Sequence, residues 1–354
     1  MICKKIYLIL FCMVLITVFI CRVDADDTTA SNTTDYSKIR SIAYYDYPYD
    51  APGDRFYADL KRDLPRIKAL GFNTIWIVTP WYKFSPQALP VPVYNDQAFS
   101  DLKKVLDLLK DNGMEAFLGP GYFGAGWSPA GVDASKWVTD PEVCRALDQY
   151  VEEFLRRIID YSNMVYIIFF TEGAECGLNM NNVDSARLIA LHLRNTLGSI
   201  PMRLPQDLRS KFRIGYHDYG LINFDYAHGS SPMQGPISFD FLSMQAYGLD
   251  GKPDHEIGPE IELRASRFKR LYPNTPLIIG ELGASMLHGY DNQKRAGGII
   301  VSYAISARYG FNLWGWKGFS RKQESVPALG GFGITNEDGT YRPVAAAIKE
   351  AMMK

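Results

Sequence analysis

From residue 39 onward, short runs of β-branched and aromatic residues alternate with longer stretches whose apolar positions recur every three or four residues. A short apolar run followed by an amphipathic segment is the pattern of a βα unit, in which a strand buried on both faces is covered by its helix. Ile39 to Tyr45 is the first such run, and in Asp54 to Leu70 the residues Leu60, Leu64, Ile67 and Leu70 share a helical face that Gly71 brings to an end. Thr74 to Val78 pairs with a helix over Phe99 to Lys110. Glu115 to Leu118 is followed by Asp140-Pro141, a capping residue and a proline at the first helical position, opening a helix that runs to about Ser162.

The fourth strand, Val165 to Phe170 (VYIIFF), is continuously apolar and precedes a helix over Val183 to Leu197. Phe212 to Tyr216 ends in His217-Asp218, and Phe239 to Tyr247 is followed by a helix over Pro259 to Leu271. Pro276 to Gly280 ends in Glu281 and leads to a helix from Asn292 to Tyr309. Phe311 to Trp316 and Pro343 to Met352 complete the series. Eight strand-then-helix units predict the α/β class and a single (β/α)8 TIM barrel over residues 38–354. An open doubly wound sheet would use the same alternation, but no glycine-rich phosphate fingerprint follows the first strand.

The residues before the barrel have a different character. Lys4 and Lys5 precede an apolar run, Ile6 to Ile20, and Val23-Asp24-Ala25 has the small residues of a cleavage site, so residues 1–25 read as a signal peptide. Residues 26–37 are polar and read as a flexible leader, with Asn32-Thr33-Thr34 as a glycosylation sequon. The expected location is therefore extracellular, with no membrane attachment after cleavage. A net charge of −1 gives no electrostatic case for nucleic acid or for anionic lipid. Three of the five cysteines leave with the signal peptide. Cys144 and Cys176 fall on adjacent units at the same end of the barrel, and a disulfide between them or two free thiols are both open readings.

Active sites of such barrels form at the C-terminal ends of the strands. The side chains that follow the apolar runs are Tyr45 and Asp46, Trp81, Tyr122 and Trp127, Thr171 and Glu172, His217 and Asp218, Gln245 and Tyr247, Glu281, and Trp314 and Trp316. The set is rich in carboxylates and aromatics and holds no basic phosphate clamp. Glu172 after strand four and Glu281 after strand seven come together only if the barrel closes. Two carboxyl groups across a sugar linkage are what glycosidic hydrolysis needs, one to protonate the leaving oxygen and one to attack or to activate water. The aromatic side chains are suited to packing on sugar faces, and Trp314 and Trp316, two apart, are expected on one face of the last strand.

The segments IIFFTEG, with Glu172, and PLIIGELG, with Glu281, resemble the strand-four and strand-seven ends of the clan A retaining glycoside hydrolases, the cellulase-like "4/7 superfamily". NLWGWKGF, SMQAYG with Tyr247, and the closing GITNEDGTYRPVAAAIKEAM are similar to further landmarks of that clan. The resemblance implies Glu172 as acid/base, Glu281 as nucleophile, a hydrogen bond from Tyr247 to that nucleophile, and a tryptophan of NLWGWKGF at the floor of the sugar site. Tyr45, Trp81, Thr171, His217, Tyr247, Trp314 and Trp316 are candidate sugar contacts by their place at the strand ends, and the expectation is a monomeric enzyme with a carbohydrate substrate and no cofactor. The chain departs from the clan at Thr171, where asparagine is usual; a threonine hydroxyl cannot offer the paired amide donor and acceptor. Glu175 is a rival for the acid role. Two other readings stand beside this one: a lectin-like barrel that binds carbohydrate without cleaving it, and a metal-dependent hydrolase using His217, Asp218 and a glutamate.

Overall fold

The computed structural model describes residues 34–44, 53–121, 128–132, 140–170, 198–218, 238–317, 331–336 and 338–354. Tyr36–Lys354 is one compact unit; Met1–Asp35, described only at residues 34 and 35, is another. Eight parallel strands close on themselves: β1 (Arg40–Ala43), β2 (Thr74–Val78), β3 (Glu115–Gly121), β4 (Val165–Phe170), β5 (Arg213–Asp218), β6 (Phe241–Ala246), β7 (Leu277–Leu282) and β8 (Phe311–Leu313). Closure is through Arg40, Ser41 and Ile42 of β1, which pair with Phe311, Asn312 and Leu313 of β8. The longer helices are α1 (Asp54–Ala69), α2 (Asp96–Asp111), α3 (Pro141–Arg157), α4 (Asp254–Leu271), α5 (Tyr290–Ser306) and α6 (Pro343–Met352).

Local chemistry explains where several helices begin. The Asn95 side chain accepts from the Ala98 amide, so α2 starts three residues before the apolar periodicity becomes visible at Phe99. Asp140 caps α3 by accepting from the Glu142 amide, with Pro141 in the first turn as expected. In α4 the expectation was wrong: Pro259 lies inside the helix, which begins at Asp254. Proline near a helix start usually marks the first turn, but here the helix runs through it.

Strand alternation sorts the side chains into two layers. One faces the helices and includes Ile42, Ile75, Ile77, Ile167, Phe169, Ile214 and Tyr216. The other fills the barrel, with Ala43, Trp76, Val78, Phe117, Tyr166, Ile168, Phe241, Ile278 and Trp314. Gly215 is the complement of Phe241: a Cβ there would come within 2.2 Å of the phenyl ring. The N-terminal end of the barrel is closed by Tyr36, whose ring lies 5.1 Å from that of Phe241. At the same end Tyr166 donates to Glu115 at 3.0 Å, the Arg213 guanidinium lies 3.9 Å above the Tyr166 ring, and Arg209 grips Asp240 through two bonds of 2.7 and 3.0 Å. Charge at this face is spent on structure, which leaves the opposite mouth for chemistry.

Candidate active site

The mouth is organised by an irregularity in β7. Ile278 belongs to the barrel filling and Ile279 to the outer layer, so strict alternation would put Gly280 inward and Glu281 outward. The ladder to β6 does not keep strict register. Met244 pairs with Ile279, but the next residue, Gln245, pairs with Glu281, so Gly280 is an extra residue on β7. The ladder to β8 shifts across the same stretch, between Ile279 and Leu282. Such a bulge re-aims the side chain that follows it. Glu281 consequently faces inward, with Oε1 at 3.8 Å from Nε2 of His217, and only 2% of the residue is exposed.

His217 lies on β5, inward by alternation with the outward Tyr216, and is fully buried. Its ring stands at 85° to that of Trp76, with centroids 6.2 Å apart, and its Nδ1 is 2.7 Å from the Ser243 hydroxyl on β6. Burial lowers its pKa from 6.5 to about 3. A nearby carboxylate favours the charged form, but in this apolar setting desolvation wins, and His217 is a neutral imidazole at neutral pH.

Gly280 makes this cluster possible. A Cβ at that position would lie 1.7 Å from Ser243 Oγ and 2.9 Å from His217 Nδ1. Its carbonyl accepts from the buried Asn312 side chain, which in turn accepts from the Ser41 hydroxyl, so the bulge is tied to β8 and β1. The serine and the tryptophan beneath the site were not singled out in the sequence. Both could have been found by parity, since Ser243 shares a face with Gln245, and Trp76 with Thr74 and Val78.

The aromatic side chains divide. Trp314 is 8% exposed and belongs to the barrel filling, its ring 6.5 Å from Trp76. Trp316 does not share its face: it is buried in the outer layer, edge-on to Tyr341 at 6.0 Å, with Arg66 over its ring. The reason is that β8 ends at Leu313, so the alternation does not extend to Trp316. Trp81 begins a one-turn helix, Trp81–Phe84, that carries its ring onto Tyr150 of α3, stacked at 5.5 Å and 1% exposed. Its position is that of a core residue. Tyr247 is half-buried with its hydroxyl out of solvent, and its ring lies 4.9 Å from that of Phe332. Phe332 itself packs over Gly283, just past β7; nothing in the sequence marked it.

Tyr45, Asp46, Tyr122, Trp127, Thr171, Glu172, Glu175, Cys176 and Asn32 lie outside the described residues, as does the side chain of Asp218. The strand that leads to Glu172 is described: β4 ends at Phe170, paired with His217. Cys144 is half-buried on α3, and burial pushes its thiol pKa up. Among the described residues, no three His, Cys, Asp or Glu side chains are grouped to hold a metal.

No protein-family model matches the sequence, and no curated protein matches it. Solved structures do match its fold. A GH5_18 protein from Bifidobacterium longum subsp. longum superposes with a TM-score of 0.69 at 14% identity, over 88% of this chain and 78% of its own. Exo-beta-1,4-mannosidase Op5Man5 from Opitutaceae bacterium strain TAV5 gives 0.63 at 15% identity, over 88% of this chain and 59% of its own. Thermotoga maritima Cel5A, solved with mannotriose as substrate, gives 0.61 at 14% identity, over 90% and 99%. At such identities the likeness is one of fold.

Proposed function

We propose that the protein is a secreted glycoside hydrolase that cleaves O-glycosidic bonds of an oligo- or polysaccharide with retention, using Glu281 as nucleophile and Glu172 as acid/base. The observation that carries this reading is the β7 bulge, which spends regular register to turn one buried carboxylate into the barrel mouth. An acidic side chain is held out of solvent at such a place only where its charge is used or well compensated. The fold neighbours add chemical context, since they include an exo-β-1,4-mannosidase and an enzyme solved with mannotriose, and β-mannosides and β-glucosides are the first substrates to try.

In this mechanism the Glu281 carboxylate attacks the anomeric carbon while Glu172 delivers a proton to the departing oxygen. Glu172, now ionised, then takes a proton from the water that releases the sugar from Glu281. Retention requires the two carboxyl groups about 5–5.5 Å apart. Trp314 would supply an apolar face for the sugar ring, with Tyr247 and Phe332 as a neighbouring aromatic wall. Residues 1–25 act as the cleaved leader and Asn32 as a glycan acceptor. Mass measurement of the secreted protein checks both, and its change on reduction decides between a Cys144–Cys176 disulfide and two thiols.

The test is to assay Glu172→Gln and Glu281→Gln on aryl β-glycosides and on glucans and mannans. Each is expected to lose activity by about a thousandfold or more. Full activity in either variant ends the assignment. Thr171, standing where the clan has asparagine, favours a second reading, a barrel that binds sugar without cleaving it. Saturable binding of an oligosaccharide by the wild type with no product, under conditions that exclude slow turnover, would support that reading instead.

A further inference from the structure

We propose that His217 and Ser243 form a positioning dyad for Glu281, in which the Ser243 hydroxyl donates to Nδ1 and thereby directs Nε2–H at the Glu281 carboxylate. The inference rests on the reading of Glu281 as the nucleophile and adds how that carboxylate is held ready. Its basis is the geometry of three buried side chains from three adjacent strands. Ser243 Oγ is 2.7 Å from Nδ1, Nε2 is 3.8 Å from Glu281 Oε1, and Ser243, His217 and Glu281 are 0%, 0% and 2% exposed.

A neutral imidazole has one donor and one acceptor nitrogen, and the partner of one ring nitrogen sets the role of the other. Two arrangements are possible here. In the first, Nδ1–H donates to Ser243 Oγ. The serine proton is then left in a buried site where Nδ1 is the hydroxyl's sole partner among the described residues, and the Nε2 lone pair faces a carboxylate. In the second, Ser243 donates to Nδ1, no hydroxyl proton is wasted, and the positive end of Nε2–H meets the negative oxygen. Both electrostatics and hydrogen-bond accounting select the second.

At 3.8 Å the approach to Oε1 is longer than a hydrogen bond, and it can close by a small rotation of the carboxylate when substrate occupies the mouth. A neutral donor suits this task. It lowers the proton affinity of Glu281 without cancelling the charge that must attack the sugar. Glu115 and Arg213 begin β3 and β5, at the opposite end of the barrel. Asp218, by contrast, follows His217 at the end of β5, and Glu172, on the proposed mechanism, shares the mouth with Glu281. Tyr247 follows β6 at the rim, while Trp76 and Trp314 bring no charge from β2 and β8.

Gly280 is part of the device. The extra residue that turns Glu281 inward is also the one whose missing side chain leaves space for the Ser243 hydroxyl and the histidine nitrogen.

Nuclear magnetic resonance on the intact secreted protein tests the dyad without turnover. With 15N-histidine, the wild type at neutral pH is expected to show a protonated Nε2 and a bare Nδ1. With 13C-labelled glutamate, and Glu281 assigned by comparison with Glu281→Gln, Ser243→Ala is expected to raise the Glu281 titration midpoint by about one pH unit. The same variant should move the acid limb of kcat/KM upward by the same amount with KM little changed. A protonated Nδ1 in the wild type would overturn the dyad even if Ser243→Ala fails to fold, as would a Glu281 midpoint indifferent to Ser243→Ala. These signals do not depend on catalysis. An inactive wild type that shows them would remove the hydrolase reading and leave the dyad standing, whereas an active one that lacks them would do the reverse.

Discussion

Nε2 of His217 lies 3.8 Å from Oε1 of Glu281, although the two residues belong to β5 and β7, with β6 between them. The strand between supplies Ser243, which binds the far side of the imidazole, and β7 supplies Gly280, which leaves room for that bond. Three strands thus converge on one carboxylate from beneath, while the N-terminal end of the barrel is tied by Arg209, Asp240, Glu115 and Arg213. The proposed site and these stabilising pairs occupy opposite ends of the same strands, and the two can be perturbed separately.

Acid sensitivity should follow from His217. Its pKa is about 3 in the folded protein against 6.5 for the free side chain, so between these values the unfolded chain binds a proton that the native state refuses. Stability from this group is complete above pH 6.5 and falls as pH drops toward 3, by about 1.4 kcal/mol per unit within that window. Urea unfolding of the wild type and His217→Gln across this range should show a flatter slope for the variant. Parallel slopes would mean that His217 does not titrate as its burial requires.

Gly280→Ala should be disproportionately harmful for the addition of one methyl group. The new Cβ would sit 1.7 Å from Ser243 Oγ, so the serine and the histidine must both move. A loss of about 1–3 kcal/mol in denaturant unfolding is expected, together with loss of activity in the fraction that remains folded. Combining it with Ser243→Ala, which removes the clashing hydroxyl, should recover part of the stability but not the pH profile.

The two tryptophans that follow β8 should separate cleanly. Trp314→Ala is expected to weaken sugar binding by about tenfold, because its ring lines the barrel side of the mouth. Trp316→Ala should instead lower stability by about 3–5 kcal/mol, since it fills the layer beneath the helices, and leave the KM of the folded enzyme near wild type. Titration of an oligosaccharide into each purified variant, beside its melting curve, distinguishes them.

Asp240 offers the opposite control. It accepts two bonds from Arg209 and one from the Ile214 amide at the N-terminal end of the barrel. Asp240→Ala should cost about 2–3 kcal/mol while leaving kcat unchanged. A large fall in kcat at full folding would mean that this end of the barrel communicates with the mouth.

The barrel was legible because its periodicities are strong. TIWIV and VYIIFF stand as β2 and β4 at the expected bounds, and Pro343–Met352 is the closing helix as read. Glu281 was legible as the residue at the end of a buried run. Its inward orientation was not, because parity alone points it the other way and the bulge exists only in the pairing of β7 with its neighbours. Ser243 escaped notice for a related reason, since a serine in an apolar strand gains meaning only from the histidine opposite. Trp316 departs from the face that alternation predicts because β8 ends at Leu313, three residues before it. The start of α4 was misplaced because a proline that usually opens a helix is here enclosed by one.

The central claim, that Glu281 is the attacking carboxylate, is tested most directly by trapping. The protein would be incubated with 2-deoxy-2-fluoro β-mannosyl and β-glucosyl donors carrying a good leaving group, and the labelled peptide located by mass spectrometry. Attachment of one sugar to Glu281, absent in Glu281→Gln, is the predicted result. A stable label on another carboxylate, or inverted product from a matched substrate with no label at all, would contradict it.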